Sequence, residues 1–436
     1  MTRRVPSETA PPLRIAMVAA CPFPSPRGSQ VLMRELAETL ADHGHHVHLI
    51  TYPHGESLVP IRGIFVHRIR PPRFVGSPTG LSWRKIILDL CVAWTLYRVV
   101  RRERIQVIHA HNYEGPLISY PIRRLTGVPV VYHSHNALSD EIGSYFRPGW
   151  RRWIAQRVGE VLDRQVPRRA DFSIALTPEL EGFLRAHGVM GERVATIPPS
   201  ASAGTLPEGG SGGADPFAGR FVVMYAGNLD PYQDLDVLLQ GFERFRAQVT
   251  GALLVVVTHD VEWRRCAGGR LQWLVQTGAA RVVVAQAYAT VRRLLVRAEV
   301  LVCPRSSWSG FPIKLINYMA AGRPLVVAAG SAKGVVDGET GLIFRNRDEQ
   351  GLAAALQRLF DDDALRCRLG ANARVAVDAA QARACTVPRL VGIYQRLCAQ
   401  PAGGRRTTVG RHDASPAVMA SSAHGRISAA SGDRSG

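Results

Sequence analysis

A run of small and polar residues, Ser306-Ser307-Trp308-Ser309-Gly310, leads into Phe311-Pro312-Ile313-Lys314-Leu315-Ile316, which reads as the apolar start of a helix. That helix stops at Ala320-Ala321-Gly322, and Pro324-Leu325-Val326-Val327 reads as a buried strand. A glycine loop opening a helix between two strands sets free backbone N–H groups and a positive dipole end at the C-terminal edge of a parallel sheet. Such a place suits a phosphate. Pro312 removes one donor but fits the first turn of a helix, which leaves the amides of Ile313 and Lys314.

A second group of candidates lies near residue 110. His109-Ala110-His111 is a His-x-His pair closing the apolar run Gln106-Val107-Ile108. Two imidazoles on one strand face can ligate a metal, but a zinc site wants at least three protein ligands and no third is in reach by spacing. No metal is therefore expected. In Val130-Val131-Tyr132-His133-Ser134-His135-Asn136, His135 stands just past a buried strand, where a histidine either meets substrate or is a satisfied structural residue.

The elements that would hold these loops alternate regularly. Leu13 to Val18 is a compact apolar strand, followed by a Pro/Gly loop from Cys21 to Gly28 and a helix with Val31, Leu32, Leu36 and Leu40 at helical spacing. His46 to Ile50 is the next strand, so the chain opens as a doubly wound α/β domain. The pattern continues through strands at 65–69, 106–109, 128–132, 172–176 and 193–197, with helices near 84–102, 116–125 and 150–168. Residues 198–219, rich in Ser, Gly, Ala and Pro, read as a linker. A second α/β series follows, with strands at 221–225, 253–257, 281–285, 300–303, 325–328 and 341–344 and helices near 350–360 and 364–379. The division expected is a disordered residue 1–11, an N-terminal domain over 12–198, a linker over 199–219, a C-terminal domain over 220–382, a final helix in 383–400 and a disordered 401–436.

Composition narrows the partners. The 436 residues suit two domains of about 200 each, and 46% hydrophobic content supplies their cores. No run of 18 apolar residues spans a membrane, and no apolar signal core precedes Leu13, so the cytoplasm fits best. Seven widely spaced cysteines without a Cys-x-x-Cys pair suggest neither zinc nor a disulfide framework. The net charge of +19 fits an anionic membrane, an anionic substrate or simple solubility. Recognisable nucleic-acid modules are missing, which argues against that partner. Thirteen of the arginines fall between Arg98 and Arg169, against six acids. The helix bearing Ile86, Ile87, Leu90, Trp94 and Tyr97, trailed by Arg98, Arg101, Arg102 and Arg104, is either an ordinary core helix or one that rests on an anionic membrane. Trp150, Arg151, Arg152, Trp153 and Arg157 pose the same choice.

The 305–327 segment resembles the nucleotide-sugar segment of GT-B glycosyltransferases, specifically the GT4 family. Its usual form is Glu-Gly-Phe-Gly, a short apolar run, then Glu-Ala-Met-Ala-Ala-Gly. The resemblance extends from Leu13 to about Ala399, through Arg27-Gly28-Ser29, His109-Ala110-His111-Asn112, Val130 to Asn136, Ala170 to Thr177 and Val335 to Leu342. It implies two Rossmann-like domains facing a cleft, with the last helix packing back on the first domain. It implies a metal-independent transfer of a hexose, with retention, from a nucleotide sugar to a glycan, lipid or small-molecule acceptor.

The chain departs from the family pattern at four places. Ser309 and Asn317 replace two glutamates, and in Gly227-Asn228-Leu229-Asp230-Pro231-Tyr232-Gln233, Asn228 and Gln233 replace an arginine and a lysine. Asn317 can still hydrogen-bond a ribose hydroxyl and Ser309 a hexose hydroxyl. Asn228 and Gln233 are read as polar phosphate or sugar contacts, the alternative being an ordinary strand-to-helix turn. Arg305 and Lys314 can supply the missing cations, unless Arg305 is a structural ion-pair residue and Lys314 a solvated surface lysine. The resemblance implies donor contacts at Gly28 and Ser29 from the opposite wall, and at Gly310, Phe311, Pro312 and Ile313. It places His135 near the reacting sugar, and His109, His111 and Asn112 along the acceptor cleft. Two rivals stay open at this point: a catalytically inactive GT-B scaffold in a glycan-assembly complex, and a sugar-nucleotide epimerase, which would want more acids in the cleft.

Overall fold

The computed structural model describes residues 11–23, 28–53, 61–72, 83–199, 217–266, 268–285, 288–383 and 386–400. Arg27, nearly all of the two tails and most of the linker lie outside the described residues. The first series runs β1 (Arg14–Ala19), α1 (Gly28–Asp42), β2 (His46–Thr51), β3 (Ile64–Arg68), α2 (Trp83–Arg102), β4 (Val107–His111) and α3 (Glu114–Thr126). It continues through β5 (Val130–Ser134), α4 (Leu138–Ile142), α5 (Trp150–Arg169), β6 (Phe172–Ala175), α6 (Pro178–Ala186) and β7 (Val194–Thr196). The second series runs β8 (Phe221–Ala226), α7 (Leu235–Gln248), β9 (Ala252–Thr258), α8 (Trp263–Cys266), α9 (Gly268–Gln276), β10 (Ala280–Val284) and α10 (Tyr288–Leu295). It ends with β11 (Val300–Cys303), α11 (Ile313–Ala320), β12 (Leu325–Ala328), β13 (Leu342–Phe344), α12 (Glu349–Asp361), α13 (Asp363–Arg383) and α14 (Thr386–Ala399).

Both sheets are parallel, with strand orders β3-β2-β1-β4-β5-β6-β7 and β10-β9-β8-β11-β12-β13. The order reverses between β1 and β4 and again between β8 and β11. Those are the two places where loops diverge above the strand ends and leave a crevice. Helices cover both faces of each sheet, so every residue of β4, β5, β6, β9, β11 and β12 is buried; β11 and β12 are continuous apolar runs and β9 is one up to Thr258, while β4, β5 and β6 carry His109, His111, His133, Ser134 and Ser173 among their apolar residues. Val223, Tyr225, Leu254 and Phe242 fill one side of the second sheet, and Met224, Val255, Leu301 and Met319 the other. Each such side chain contributes about 1.5–3 kcal/mol of transfer free energy.

The helix α14 belongs spatially to the first domain. Val387, Leu390, Ile393, Tyr394 and Leu397 pack into one cluster with Leu13, just before β1, and with Ile15 and Met17 of β1. The sequence reading also differs from the structure in detail. The short helices α4, α6, α8, α9 and α10 carry too few turns to display a period. Pro312 is the N-cap of α11 and not part of its first turn; its carbonyl accepts from Leu315 N at 2.9 Å.

Candidate active site

The loop after β8 and the first turn of α11 meet at the second switch point. Lys314 Nζ donates to Gln233 Oε1 (2.8 Å) and to Tyr225 Oη (2.9 Å), and stands 4.1 Å from the centre of the Tyr225 ring. Gly227 makes the room: a Cβ built there would lie 2.7 Å from Lys314 Nζ. Lys314 is thus no solvated surface lysine. Burial, aided by the nearby Arg305 guanidinium, lowers its pKa to about 8, while Cys303 acts in the opposite direction. Gln233 is only 5% exposed and is the ammonium's acceptor. Asn228 is spent within its own turn, its amide donating to Asp230 and to Tyr232 Oη (3.0 Å).

Arg305 is also buried, at 8% exposure, and it makes no ion pair within 4.0 Å among the described residues. Its Nη2 donates to Ser309 O (2.7 Å) and Ser307 Oγ (3.1 Å), its guanidinium lies 5.2 Å from the Tyr232 ring centre, and its Nε is buried without a partner. The structural ion pair is therefore set aside. The arginine shapes the 305–310 loop and holds a positive charge beside it. Gly310 has φ +76°, a left-handed conformation that favours glycine, and a Cβ there would lie 2.6 Å from His135 O of the other domain. Ile313 packs with Leu32 of α1 and Leu176, against Phe311, and Gly28 at the start of α1 faces Ile313. The N-termini of α1 and α11 are thereby brought together across the cleft. Ser29 lies beside Gly28 and donates to Gln30 Oε1 at 3.1 Å, and Asn317 sits one turn past Lys314 on α11, half-buried.

The histidines behave differently from the sequence expectation. His109 and His111 are 0% and 1% exposed, so they support the cleft from behind and offer no surface to an acceptor. His109 contacts Tyr394 Oη of α14 through Nδ1 and His133 Nδ1 through Nε2 (2.9 Å), while His111 Nδ1 lies 3.0 Å from His135 Nε2. The parallel register of β4 and β5 sets His111 beside His133, which explains how four imidazoles share one sheet face. The expectation of no third metal ligand in reach is corrected, because candidate ligand atoms of His109, His111 and His133 lie within 4.8 Å of one another. His109 Nε2 is paired with His133 Nδ1, whereas His111 Nε2 and His133 Nε2 are buried without a hydrogen-bond partner among the described residues. Burial holds all four in the neutral form, reinforced at His109, His111 and His133 by neighbouring imidazoles, with His109 pushed down to about 3 and His135, by burial alone, to about 4. Asn112 follows β4 in a left-handed turn, φ +56°, that asparagine tolerates.

The sequence reading missed α4 altogether. This short helix of the first domain reaches over the cleft, and Asp140 touches the second domain's side of it, while Glu141 is bonded within the first domain to Asn136 and Tyr145. Asp140 Oδ2 accepts from Ser307 Oγ (2.6 Å), Ser309 Oγ (2.7 Å) and Ser309 N (3.2 Å). Burial pushes the Glu141 carboxyl up, against the pull of Arg305 and of hydrogen bonds from Tyr145 and Asn136. Trp308 packs on Phe183 of α6, and Lys333 pairs with Glu179 at 3.2 Å, so further contacts join the domains. Only the acidic pair itself was visible beforehand, and nothing in its spacing pointed across the cleft.

Two doubly wound domains closed over paired helix N-termini and fixed cations define a GT-B glycosyltransferase. Residues 27–200 match the glycosyl transferase 4-like domain, and residues 220–362 match the glycosyl transferases group 1 domain. The chain belongs to the GT4 glycosyltransferases. It is 23% identical over 369 residues to a phosphatidyl-myo-inositol mannosyltransferase of Mycolicibacterium smegmatis, covering 83% of this chain and 88% of that one. The fold superimposes on sucrose-phosphate synthase from Thermosynechococcus elongatus with a TM-score of 0.71 at 21% identity, covering 88% and 99% of the two chains. It superimposes on Anabaena HepE, solved with UDP and glucose, with a TM-score of 0.67 at 16% identity over 89% and 100%.

Proposed function

We propose that this enzyme transfers a hexose, with retention of configuration, from a nucleoside-diphosphate sugar to a lipid-linked or glycan acceptor at an anionic membrane surface. The observation that carries the donor half is the Lys314 ammonium, held by Gln233 and Tyr225 at the switch point. Two of its three protons are engaged, which leaves one for a phosphate oxygen. Arg305 and the α1 and α11 N-termini add fixed positive potential, so the departing diphosphate is met by the protein itself and the reaction uses no metal. The acceptor hydroxyl attacks on the face the diphosphate leaves, and a phosphate oxygen takes its proton. Gly28, Ser29, Gly310 and Asn317 line the donor's path, and His135 shapes the wall near the sugar through its backbone; Ser309, expected to meet a hexose hydroxyl, is instead fully buried with its hydroxyl and amide bound to Asp140.

The acceptor half rests on a surface. Leu88, Val92 and Leu96 of α2 are buried, whereas Ile86, Leu90 and Trp94 are exposed on the same helix. On α5, Trp150 (69%) and Trp153 (59%) are exposed, with Arg151 and Arg157 stacked over them. The helix α3 packs against both α2 and α5. Exposed tryptophans among arginines suit the headgroup region of an anionic bilayer, here assigned to the cytoplasmic leaflet. No described helix is long and apolar enough to cross one.

Thermal-shift screening against UDP-, GDP-, ADP- and TDP-hexoses tests the donor reading, since a ligand that binds the native state raises its stability. One donor class should raise the melting temperature, and its label should reach a lipid or glycan product. No shift with any donor would overturn the proposal.

A further inference from the structure

The interaction of α4 with the 305–310 loop has an asymmetry that points to a ligand. All three hydrogen bonds to Asp140 land on one carboxylate oxygen, Oδ2. The other oxygen, Oδ1, accepts none among the described residues, and Asp140 is only half-buried. One oxygen is pinned by Ser307 and Ser309 while its partner is oriented and open. Ser309 immediately precedes Gly310 and the N-terminus of α11, so the open oxygen stands a short step from the end where Lys314 and Arg305 concentrate positive charge. A carboxylate repels a phosphate, and the group it accepts from is therefore a neutral hydrogen-bond donor attached to one. The hydroxyls of a sugar bonded to a diphosphate meet that description, and charge-assisted O–H···O⁻ bonds are among the stronger ones.

We infer that Asp140 reads the hydroxyl pattern of the donor's hexose, with Oδ1 accepting from the sugar while Oδ2 remains anchored. The inference rests on the nucleotide-sugar reading above. It assigns the sugar contact to the domain opposite the phosphate-facing lysine. The carboxylate reaches the sugar only when the domains touch, as they do where Gly310 meets the His135 carbonyl. Sugar recognition and closure are thus one event, because the same residue supplies both.

The test separates sugar from diphosphate. Calorimetry would compare UDP, GDP, ADP and TDP with their hexose conjugates on the wild-type protein, Asp140→Asn and Asp140→Ala, after thermal melts confirm folding. The nucleoside diphosphate should bind all three proteins within about twofold. The conjugate should lose about tenfold or more in affinity on Asp140→Ala, the size of one charge-assisted bond. Asp140→Asn, which keeps shape but not charge, should lose less and should discriminate poorly between hexose epimers and against donors lacking a single hydroxyl. Equal weakening of diphosphate and conjugate would make Asp140 a domain latch only and overturn the inference. Unchanged conjugate affinity and epimer preference would overturn it as well. If the wild-type protein bound neither diphosphates nor conjugates, the donor reading itself would fall, a result distinct from both.

Discussion

Lys314 offers the sharpest test of how the donor's charge is met. Its ammonium is 2.8 Å from Gln233 Oε1 and 2.9 Å from Tyr225 Oη, with no carboxylate bonded to it among the described residues, and its pKa is lowered to about 8 chiefly by burial. At pH 7 roughly nine-tenths of the free protein carries the charge, and at pH 9 roughly one-tenth does. A charge-assisted bond to a diphosphate is worth about 1.5–3 kcal/mol, so Lys314→Gln should weaken nucleoside-diphosphate binding at pH 7 by about 10- to 150-fold. The sign of the pH effect follows from the depressed pKa. Binding the anion favours the protonated lysine, so affinity is highest below pH 8 and falls above it, by about tenfold between pH 7 and pH 9. Lys314→Gln should show a flat profile at weak affinity, and Lys314→Arg a flat profile at stronger affinity, because arginine stays charged throughout. Isothermal titration calorimetry in buffers of different ionisation enthalpy would also register proton uptake by the wild type near pH 8. Wild-type and Lys314→Gln proteins with equal affinities and parallel profiles would refute the argument.

Other consequences follow from the same structure. His109 and His135 have folded-state pKa values lowered to about 3 and about 4, so the unfolded chain binds more protons and stability falls as pH drops below about 6.5. Unfolding free energies from urea titrations at pH 7 and pH 5 should differ by about 2 kcal/mol for each such histidine, and equal values would contradict their burial in neutral form. Gly310→Ala puts a Cβ 2.6 Å from His135 O at a left-handed φ, at a cost of about 1–2 kcal/mol for the backbone alone. A lower melting temperature and a larger radius of gyration by X-ray scattering are expected, and an unchanged radius would argue that the domains do not need this contact. Replacing Trp150 and Trp153 by serine should strip the protein from phosphatidylglycerol vesicles in co-sedimentation while leaving nucleotide binding intact; retention on the vesicles would move the membrane face elsewhere.

Much of the architecture was legible beforehand because buried parallel strands leave a simple trace. Runs such as Leu325 to Ala328 and Leu254 to Val257 are apolar on both faces, and helices with several turns show their period. The fold class and the loop before α11 follow from that alternation. The short α4 did not, since one and a half turns carry no period and Asp140 shares no motif with the serines it binds 167 and 169 residues away.

The sequence by itself determined which loops lie at the carboxyl ends of the strands, since the order of strand, glycine loop and helix is local. It also named Arg305 and Lys314 as candidate replacements for cations missing at Asn228 and Gln233. Their environments depended on packing between distant segments. Gln233 became the acceptor for Lys314, and Asn228 closed on its own turn. The histidines of β4, His109 and His111, candidates for an acceptor surface, were buried among the imidazoles of neighbouring residues by strand register, with Tyr394 of α14 on His109. Burial and hydrogen-bond partners are set by which elements meet in space, and a one-dimensional pattern records only which elements exist.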